Sequence, residues 1–215
     1  MLRILIADDH DVVRRGLRDQ LNRHDNWNVC GEARDGREAV RMALQLEPDV
    51  VVMDLSMPEL NGLEATRQIH RALPNSEILI FSMHESEHMI REVLAAGARG
   101  YVVKADAEYH VTSAVEALSR HRPYFTGGVS DTLLESFLKA NGSPGDERIF
   151  QLLTGREREI VQMLAEGKSN KEVANVLEIS IKTVETHRAA AMRKLDLKSI
   201  VELVHYAIRN RFVEA

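Results

Sequence analysis

Val50-Val51-Val52-Met53-Asp54 is a run of four apolar residues closed by an acid. A strand with one wet face would alternate apolar and polar residues. An unbroken run, three of its residues β-branched, predicts a parallel strand covered on both faces. Similar runs stand at Ile4–Ala7, Asn28–Cys30, Ile78–Phe81 and Tyr101–Val103. Between them lie amphipathic stretches at helical spacing: Val12–Asn22, Arg37–Leu46, Leu63–Ala72, Ser86–Ala96 and Ala107–Arg120. Asp11 and Asp35 are placed to cap the first two. Strand and helix in alternation imply right-handed crossovers and an α/β doubly wound, five-stranded parallel sheet.

Five such units suit a small flavodoxin-like domain over residues 1–122. The pattern then breaks at Thr126-Gly127-Gly128. A helical stretch, Val129–Ala140, leads into Asn141-Gly142-Ser143-Pro144-Gly145-Asp146-Glu147, which reads as an exposed linker. Residues 123–149 are therefore expected to be a linker helix and a flexible linker. From 150 to 215 no strand pattern remains. Four helices with short turns are predicted, Gly155–Glu166, Asn170–Leu177, Ile181–Leu195 and Ser199–Arg209, forming a small all-α domain.

Composition narrows the class. Of 215 residues, 44% are hydrophobic and 28% charged, as in an ordinary soluble globular chain. No apolar run approaches the roughly 20 residues that span a bilayer, so no membrane association is expected. The apolar start, Ile4-Leu5-Ile6-Ala7, runs into Asp8-Asp9 and reads as a strand rather than a signal peptide. Cys30 is the only cysteine, which excludes an internal disulfide or a cysteine-rich zinc site and fits a reducing, cytoplasmic location. The net charge of −5 is unevenly spread. Residues 1–125 carry 15 basic and 20 acidic side chains, residues 126–150 two and four, and residues 151–215 eleven and nine. Only the last segment could attract a polyanion, and its excess is small.

In doubly wound sheets functional groups collect beyond the carboxyl ends of the strands. Asp8 and Asp9 follow the first strand, Asp54 the third, Ser82 the fourth and Lys104 the fifth. Strands one and three are neighbours in a flavodoxin-like order, so three carboxylates converge. Three such charges repel one another unless a divalent cation joins them. Oxygen ligands alone favour Mg2+ or Mn2+. A carboxylate beside such a metal and a lysine is suited to covalent phosphoryl capture, with Asp54 attacking in line and Ser82 donating to the new phosphate. Any single acid at a strand end is usually just a helix cap or a solvated loop acid, and metal binding without phosphorylation fits the same groups. The full set at successive strand ends carries the sharper reading.

Asp8-Asp9, Met53-Asp54-Leu55-Ser56-Met57-Pro58-Glu59-Leu60-Asn61-Gly62, Ser82 and Gly100-Tyr101-Val102-Val103-Lys104 resemble the receiver domain of two-component response regulators over roughly residues 1–120. The resemblance implies that Asp54 accepts phosphate from a histidine kinase. Asp8, Asp9, Asp54 and the Ser56 carbonyl would hold the metal, Asp8 largely through water. Lys104 would pair with the phosphate, and Ser82 and Tyr101 would form the coupled switch. The family often has proline after the lysine, where this chain has Ala105. His10 is expected to cap or line the adjacent loop. His84-Glu85-Ser86-Glu87-His88 reads as solvated charge in a loop and first helical turn rather than a metal cluster.

Near the C-terminus, Ser169–Leu177 forms a short helix, Glu178-Ile179 a turn, and Ser180 the cap of a longer helix beginning Ile181-Lys182-Thr183-Val184. This is a helix-turn-helix pattern. Projected at 100° per residue, Ile181, Val184, Ala191 and Leu195 share an apolar face and are expected to be buried. Lys182, Glu185, Thr186, Ala189 and Arg193 lie opposite, as entry into a DNA major groove requires. Lys171 is placed to meet a phosphate. Periodicity alone fits a solvated face of an ordinary bundle equally well.

Leu153-Thr154-Gly155-Arg156-Glu157-Arg158-Glu159, Gly167–Ala174 and Ile179–Arg188 resemble the LuxR-type DNA-binding domain across 150–212. With the first half they resemble the NarL/FixJ group of response regulators. The resemblance implies double-stranded DNA at paired half-sites, contacted by Asn170, Lys171, Lys182, Thr183, Glu185, Thr186, Arg188, Ala189 and Arg193, and a homodimer when phosphorylated. It implies no enzyme beyond self-catalysed phosphoryl capture and slow autodephosphorylation. Two rivals are weaker. A metal-dependent phosphatase with an aspartyl nucleophile carries a second aspartate as general acid where Ser56 stands. A signalling module without output does not account for the C-terminal motifs.

Overall fold

The computed structural model describes residues 1–83, 86–130, 152–210 and 212–213. The chain divides into two compact units, one N-terminal and one C-terminal. The first comprises β1 (Leu2–Ala7), α1 (Asp11–Leu21), β2 (Trp27–Ala33), α2 (Gly36–Leu46), β3 (Val50–Met53), α3 (Gly62–Ala72), β4 (Glu77–Ser82), α4 (Glu87–Ala95), β5 (Gly100–Val103), α5 (Ala107–Leu118) and β6 (Tyr124–Phe125). The strands form one sheet in the order β2-β1-β3-β4-β5-β6. Every pairing is parallel.

Val50–Met53 is buried along its whole length, as its unbroken apolar run requires. Alternate residues divide between two layers. Ile4, Ile6, Val50, Val52, Leu79, Phe81 and Val102 pack with Leu17 and Leu21 of α1 and with Val111, Ala114, Val115 and Leu118 of α5. Leu5, Val51, Met53, Ile78, Ile80 and Tyr101 are as deeply buried and point to the other face by the same alternation. There a Cβ on Gly31 would fall 2.6 and 2.8 Å from the side-chain ends of Met42 and Leu46 in α2, so that helix packs closely over β2. Each aliphatic side chain so buried contributes about 1.5–3 kcal/mol.

The sheet has six strands, not the five expected. Tyr124 donates its amide to the Arg99 carbonyl (3.1 Å), and Thr126 donates to that of Tyr101 (3.2 Å). Two residues at a sheet edge are too few for periodicity to register, and the chain there reads as the start of a linker. The observed strands also exceed the apolar runs at polar ends such as Glu32 and Glu77, because backbone pairing needs no apolar side chain. Asp35 caps α2 as expected, accepting from the Glu38 amide at 2.8 Å. Asp11 does not cap α1. It is the first helical residue and pairs with Arg14, while His10 occupies the cap position without a side-chain cap bond. The helix expected over Val129–Ala140 and the linker after it lie, beyond Ser130, outside the described residues. All peptide bonds among the described residues are trans, including that between Lys104 and Ala105.

The second unit comprises α6 (Gly155–Ala165), α7 (Asn170–Val176), α8 (Ile181–Lys194) and α9 (Ile200–Arg209). Each begins at a hydroxyl cap: Thr154, Ser169, Ser180 and Ser199 accept the amides of Glu157, Glu172, Thr183 and Glu202. In α6 and α7 the glutamate returns a bond to the cap amide, completing a capping box. Ile160, Val173, Val184, Ala191, Leu203 and Ala207 form the interior. The turn between α7 and α8 places Glu178 at φ 53°, in the left-handed region that closes short turns. Ile181 is 45% exposed rather than buried. As the first residue of α8 it projects beyond the packed stripe and lines, with Ile200 and Val204 of α9, a surface cavity of about 630 Å3.

The last turn of α8 is tied to the first turn of α6 by Lys194 Nζ, 2.6 Å from Glu157 Oε2. Burial would push the Glu157 carboxyl up, but the Lys194 and Thr154 bonds outweigh it and hold the carboxyl below its usual range. A depressed carboxylate stabilises the fold above its unfolded pKa, and that contribution is lost as pH falls through the lower folded value. Lys194→Met keeps the aliphatic stem but leaves the carboxylate short of a partner. Denaturant unfolding of the variant at pH 7 is expected to show a loss of about 1–3 kcal/mol. The loss should shrink as pH drops below the carboxylate range; an undiminished loss at pH 3 would contradict the pairing.

Candidate functional site

Because β1 and β3 are neighbours, with Ala7 paired to Met53, the residues that follow them lie side by side. The Asp54 amide donates to the Ala7 carbonyl at 2.8 Å, and the Asp8 amide to the Ala33 carbonyl at 3.1 Å. Asp8 and Asp54 are almost fully buried. Lys104, just beyond β5, reaches both: its Nζ lies 2.7 Å from Asp8 Oδ2 and 2.8 Å from Asp54 Oδ2. The other oxygens are held by the backbone. Asp8 Oδ1 accepts the His10 amide and Asp54 Oδ1 the Leu55 amide, both at 2.8 Å. The ammonium also sits 5.5 Å from the centre of the Phe81 ring.

Burial pushes the Asp54 carboxyl up to about 6, and Asp8 adds to the shift; Lys104 and the Leu55 amide pull against it. Burial would lower Lys104, but Asp54 and Asp8 more than offset it and hold the amine above its ordinary value. At neutral pH the Asp54 carboxyl is therefore largely ionised although buried, at the end of β3. Gly62 permits this geometry: a Cβ there would fall 1.8 Å from the Asp54 carbonyl oxygen.

Asp9 completes the acidic group. Ligand atoms of Asp8, Asp9, His10 and Asp54 lie within 4.8 Å of one another, a set able to hold a metal ion. Ser56 lies two residues past Asp54, half-buried, in the loop before α3. Ser82, buried, ends β4 and pairs in register with Val103; Tyr101, fully buried, pairs with Ile80. The sheet thus brings Asp8, Asp9, Asp54, Ser82 and Lys104 to its carboxyl end. Of the segment His84–His88, His84 and Glu85 lie outside the described residues.

In the second unit Lys182, Glu185, Thr186, Ala189 and Arg193 are exposed along one face of α8, as the projection predicts. Arg188 is half-buried, and so is Thr183, whose hydroxyl lies 2.8 Å from that of the cap Ser180. Thr186 donates its hydroxyl back to the Lys182 carbonyl at 2.8 Å, leaving its oxygen lone pairs to face outward. Lys171 is exposed and Asn170 half-buried at the start of α7.

Comparison with known proteins agrees with both halves. Residues 4–116 match the family described as the response regulator receiver domain, and residues 151–207 that of the bacterial regulatory proteins of the luxR family. The chain belongs to the LuxR-type response regulators. It is 39% identical over 216 residues to the oxygen regulatory protein NreC of Staphylococcus carnosus (strain TM300), covering 99% of this chain and 100% of that one. It is 38% identical over 213 residues to the transcriptional regulatory protein LiaR of Bacillus subtilis (strain 168), with the same coverage. Among solved structures it resembles RcsB of Salmonella enterica serovar Typhimurium bound to promoter rprA in the presence of the phosphomimetic BeF3−. The TM-score is 0.60 at 30% identity, covering 95% of this chain and 97% of that one. Among the described residues of this response regulator, no helix is long and apolar enough to cross a membrane.

Two contributors to the response regulator's site, Arg14 and Gly62, lie outside the residues predicted from the sequence. Arg14 is buried, donating to the Asp8 carbonyl at 2.6 Å and pairing with Asp11. Its signal was available: it shares the helical stripe of Leu17 and Leu21, where a charge must have a partner. Gly62 gave no signal without knowledge of which backbone it approaches. His10, expected to cap or line the loop, takes the cap position of α1, and in addition its Nδ1 lies 2.7 Å from Asp9 Oδ1 and 3.3 Å from Asp8 Oδ1.

The raised Asp54 value has a thermodynamic consequence. An acid whose folded pKa exceeds its unfolded value favours the fold below the unfolded pKa, and that contribution is lost as pH rises through the folded one. In chelator, the stability of Asp54→Asn relative to wild type should therefore improve as pH rises from 4 to 7, by up to about 3 kcal/mol. A difference that stays flat across that window would contradict a buried, destabilised carboxylate.

Proposed function

We propose that Asp54 is the phosphoacceptor of this response regulator and that its phosphate governs DNA binding by α8. The observation that carries this reading is the Lys104 ammonium lying between the buried carboxylates of Asp8 and Asp54. An Asp54 oxygen attacks the phosphorus of a kinase phosphohistidine. The phosphorus–nitrogen bond breaks, the electron pair leaves on the imidazole, and Asp54 becomes an acyl phosphate. Lys104 follows the charge, pairing with a phosphoryl oxygen while retaining Asp8. The donor set of Asp8, Asp9, Asp54 and the Ser56 carbonyl suits a hard divalent cation such as Mg2+ or Mn2+. When bound, that cation neutralises charge on the transferring oxygens.

Phosphorylation replaces the single charge of the Asp54 carboxylate with a phosphoryl group carrying about −1.5 to −2, beside two carboxylates, and Ser82, at the end of β4, donates to it. Ser82 and Tyr101 repack as the switch. A tenfold change in the active fraction needs only about 1.4 kcal/mol of differential stabilisation. The active receiver forms a homodimer whose DNA-binding units meet paired half-sites roughly 10 base pairs apart. Lys171, Lys182 and Arg193 contact phosphates, Glu185 and Thr186 read bases, and Asn170, Thr183, Arg188 and Ala189 line the approach. Ser56, in place of a second acid, leaves the phosphate as a lasting signal rather than a catalytic intermediate. A cytoplasmic location fits both the DNA target and the lone Cys30.

Incubation with labelled acetyl phosphate and Mg2+ should label the wild type but not Asp54→Asn; equal labelling of the variant would overturn the assignment. DNA affinity should fall as salt rises, and Lys182→Ala should reduce the log–log slope by about one. Salt-independent binding would contradict phosphate contact.

A further inference from the structure

Asp8 and Asp9 stand on the short loop between β1 and α1, and one residue holds that loop at both ends. The Arg14 amide donates to the His10 carbonyl at 3.1 Å, closing the first turn of α1. The Arg14 side chain folds back and donates from Nη1 to the Asp8 carbonyl at 2.6 Å. The ladder pairs of β1 end at Ala7 on both sides, so that carbonyl lies past them and needs another donor. A neutral side chain could supply one. Here the donor is a guanidinium, almost fully buried, and a buried charge requires opposite charge around it. Asp11 supplies it from the first turn of α1, and Glu32 of β2 from 3.8 Å. Glu32 is held in turn by Arg18 at 3.0 Å. One side chain thus joins the end of β1, the start of α1 and the edge strand β2.

We propose that Arg14 is a positioning residue of the receiver, fixing the loop so that the Asp8 and Asp9 carboxylates are set beside Asp54 before any ion arrives. The inference rests on those acids being the receiver's cation site. It adds no ligand: Arg14 acts through the Asp8 peptide. Without its side chain the Asp8 peptide unit is free to rotate, and Asp9, which lies past the end of β1, moves with it. Groups that must first be ordered bind more weakly. Partners that orient ligating groups are typically worth about 10–100-fold in metal affinity. The maximal rate of phosphoryl capture should change far less, because Asp54 and Lys104 are placed by β3 and β5 and not by this loop.

The test uses the full chain. Titration calorimetry with Mg2+ alone should show Arg14→Met binding about tenfold or more weakly than wild type. Arg14→Gln, neutral but polar, should weaken binding likewise, so the test survives if the methionine variant does not fold. Leu17→Ala loosens α1 from the sheet without touching the loop, and should leave Mg2+ affinity within about twofold. Labelling by acetyl phosphate should divide the same way. The Arg14 variants should need about tenfold more Mg2+ for half their maximal rate, with that rate within about threefold of wild type. Wild-type Mg2+ affinity in the Arg14 variants, or an equal loss in Leu17→Ala, would overturn the positioning role and leave the acidic site standing. A wild type that binds no Mg2+ would overturn the cation site and this inference with it.

Discussion

One ammonium between two buried carboxylates organises the N-terminal half of this protein. Asp8 and Asp54 are carried to adjacent strand ends by the pairing of β1 with β3. Sealed from water, two negative charges there would repel strongly and one would give up its charge. Lys104 prevents this from beyond β5, two strands away, so the whole β1-β3-β4-β5 register is needed to assemble the three groups. The compensation is incomplete, because Asp54 still lies near 6 and Asp8 still adds to its shift. Such a site has an unfilled demand for positive charge, which a divalent cation would meet. A phosphoryl group on Asp54, as proposed, would change that balance abruptly.

The C-terminal unit follows a different logic. Its helices are short, and its core is small. Their ends carry much of the specification: four hydroxyl caps, two capping boxes and the Glu157–Lys194 pair. Caps typically contribute about 1 kcal/mol each, so the four together rival the burial of about two apolar side chains. That leaves the outer face of α8 free of structural duty. Its polar residues can be read as a recognition surface because the fold does not need them.

Much of this was legible in the sequence, for physical reasons. Val50–Met53 could only be a strand covered twice, and acids after such strands had to converge once the strand order was known. Ser180 announced α8 because few residues cap so well. Other features depended on contacts that no local pattern encodes. Tyr124–Phe125 joins the sheet through backbone bonds alone. Ile181 obeys the helical period but stands one turn before its neighbours begin to cover it. Arg14 and His10 look like surface charges until the acids they serve are placed beside them. Gly62 is intelligible only from the Asp54 carbonyl against which it closes.

The state of the Asp54 carboxyl decides whether this account of the site is right. Carbon-13 NMR of its side-chain carboxyl, titrated in the metal-free full chain, should give a midpoint near 6, and Lys104→Met should raise it further. A midpoint near the ordinary value of about 3.8, unmoved by removing Lys104, would show an acid that is neither buried nor paired. The central claim would then fail.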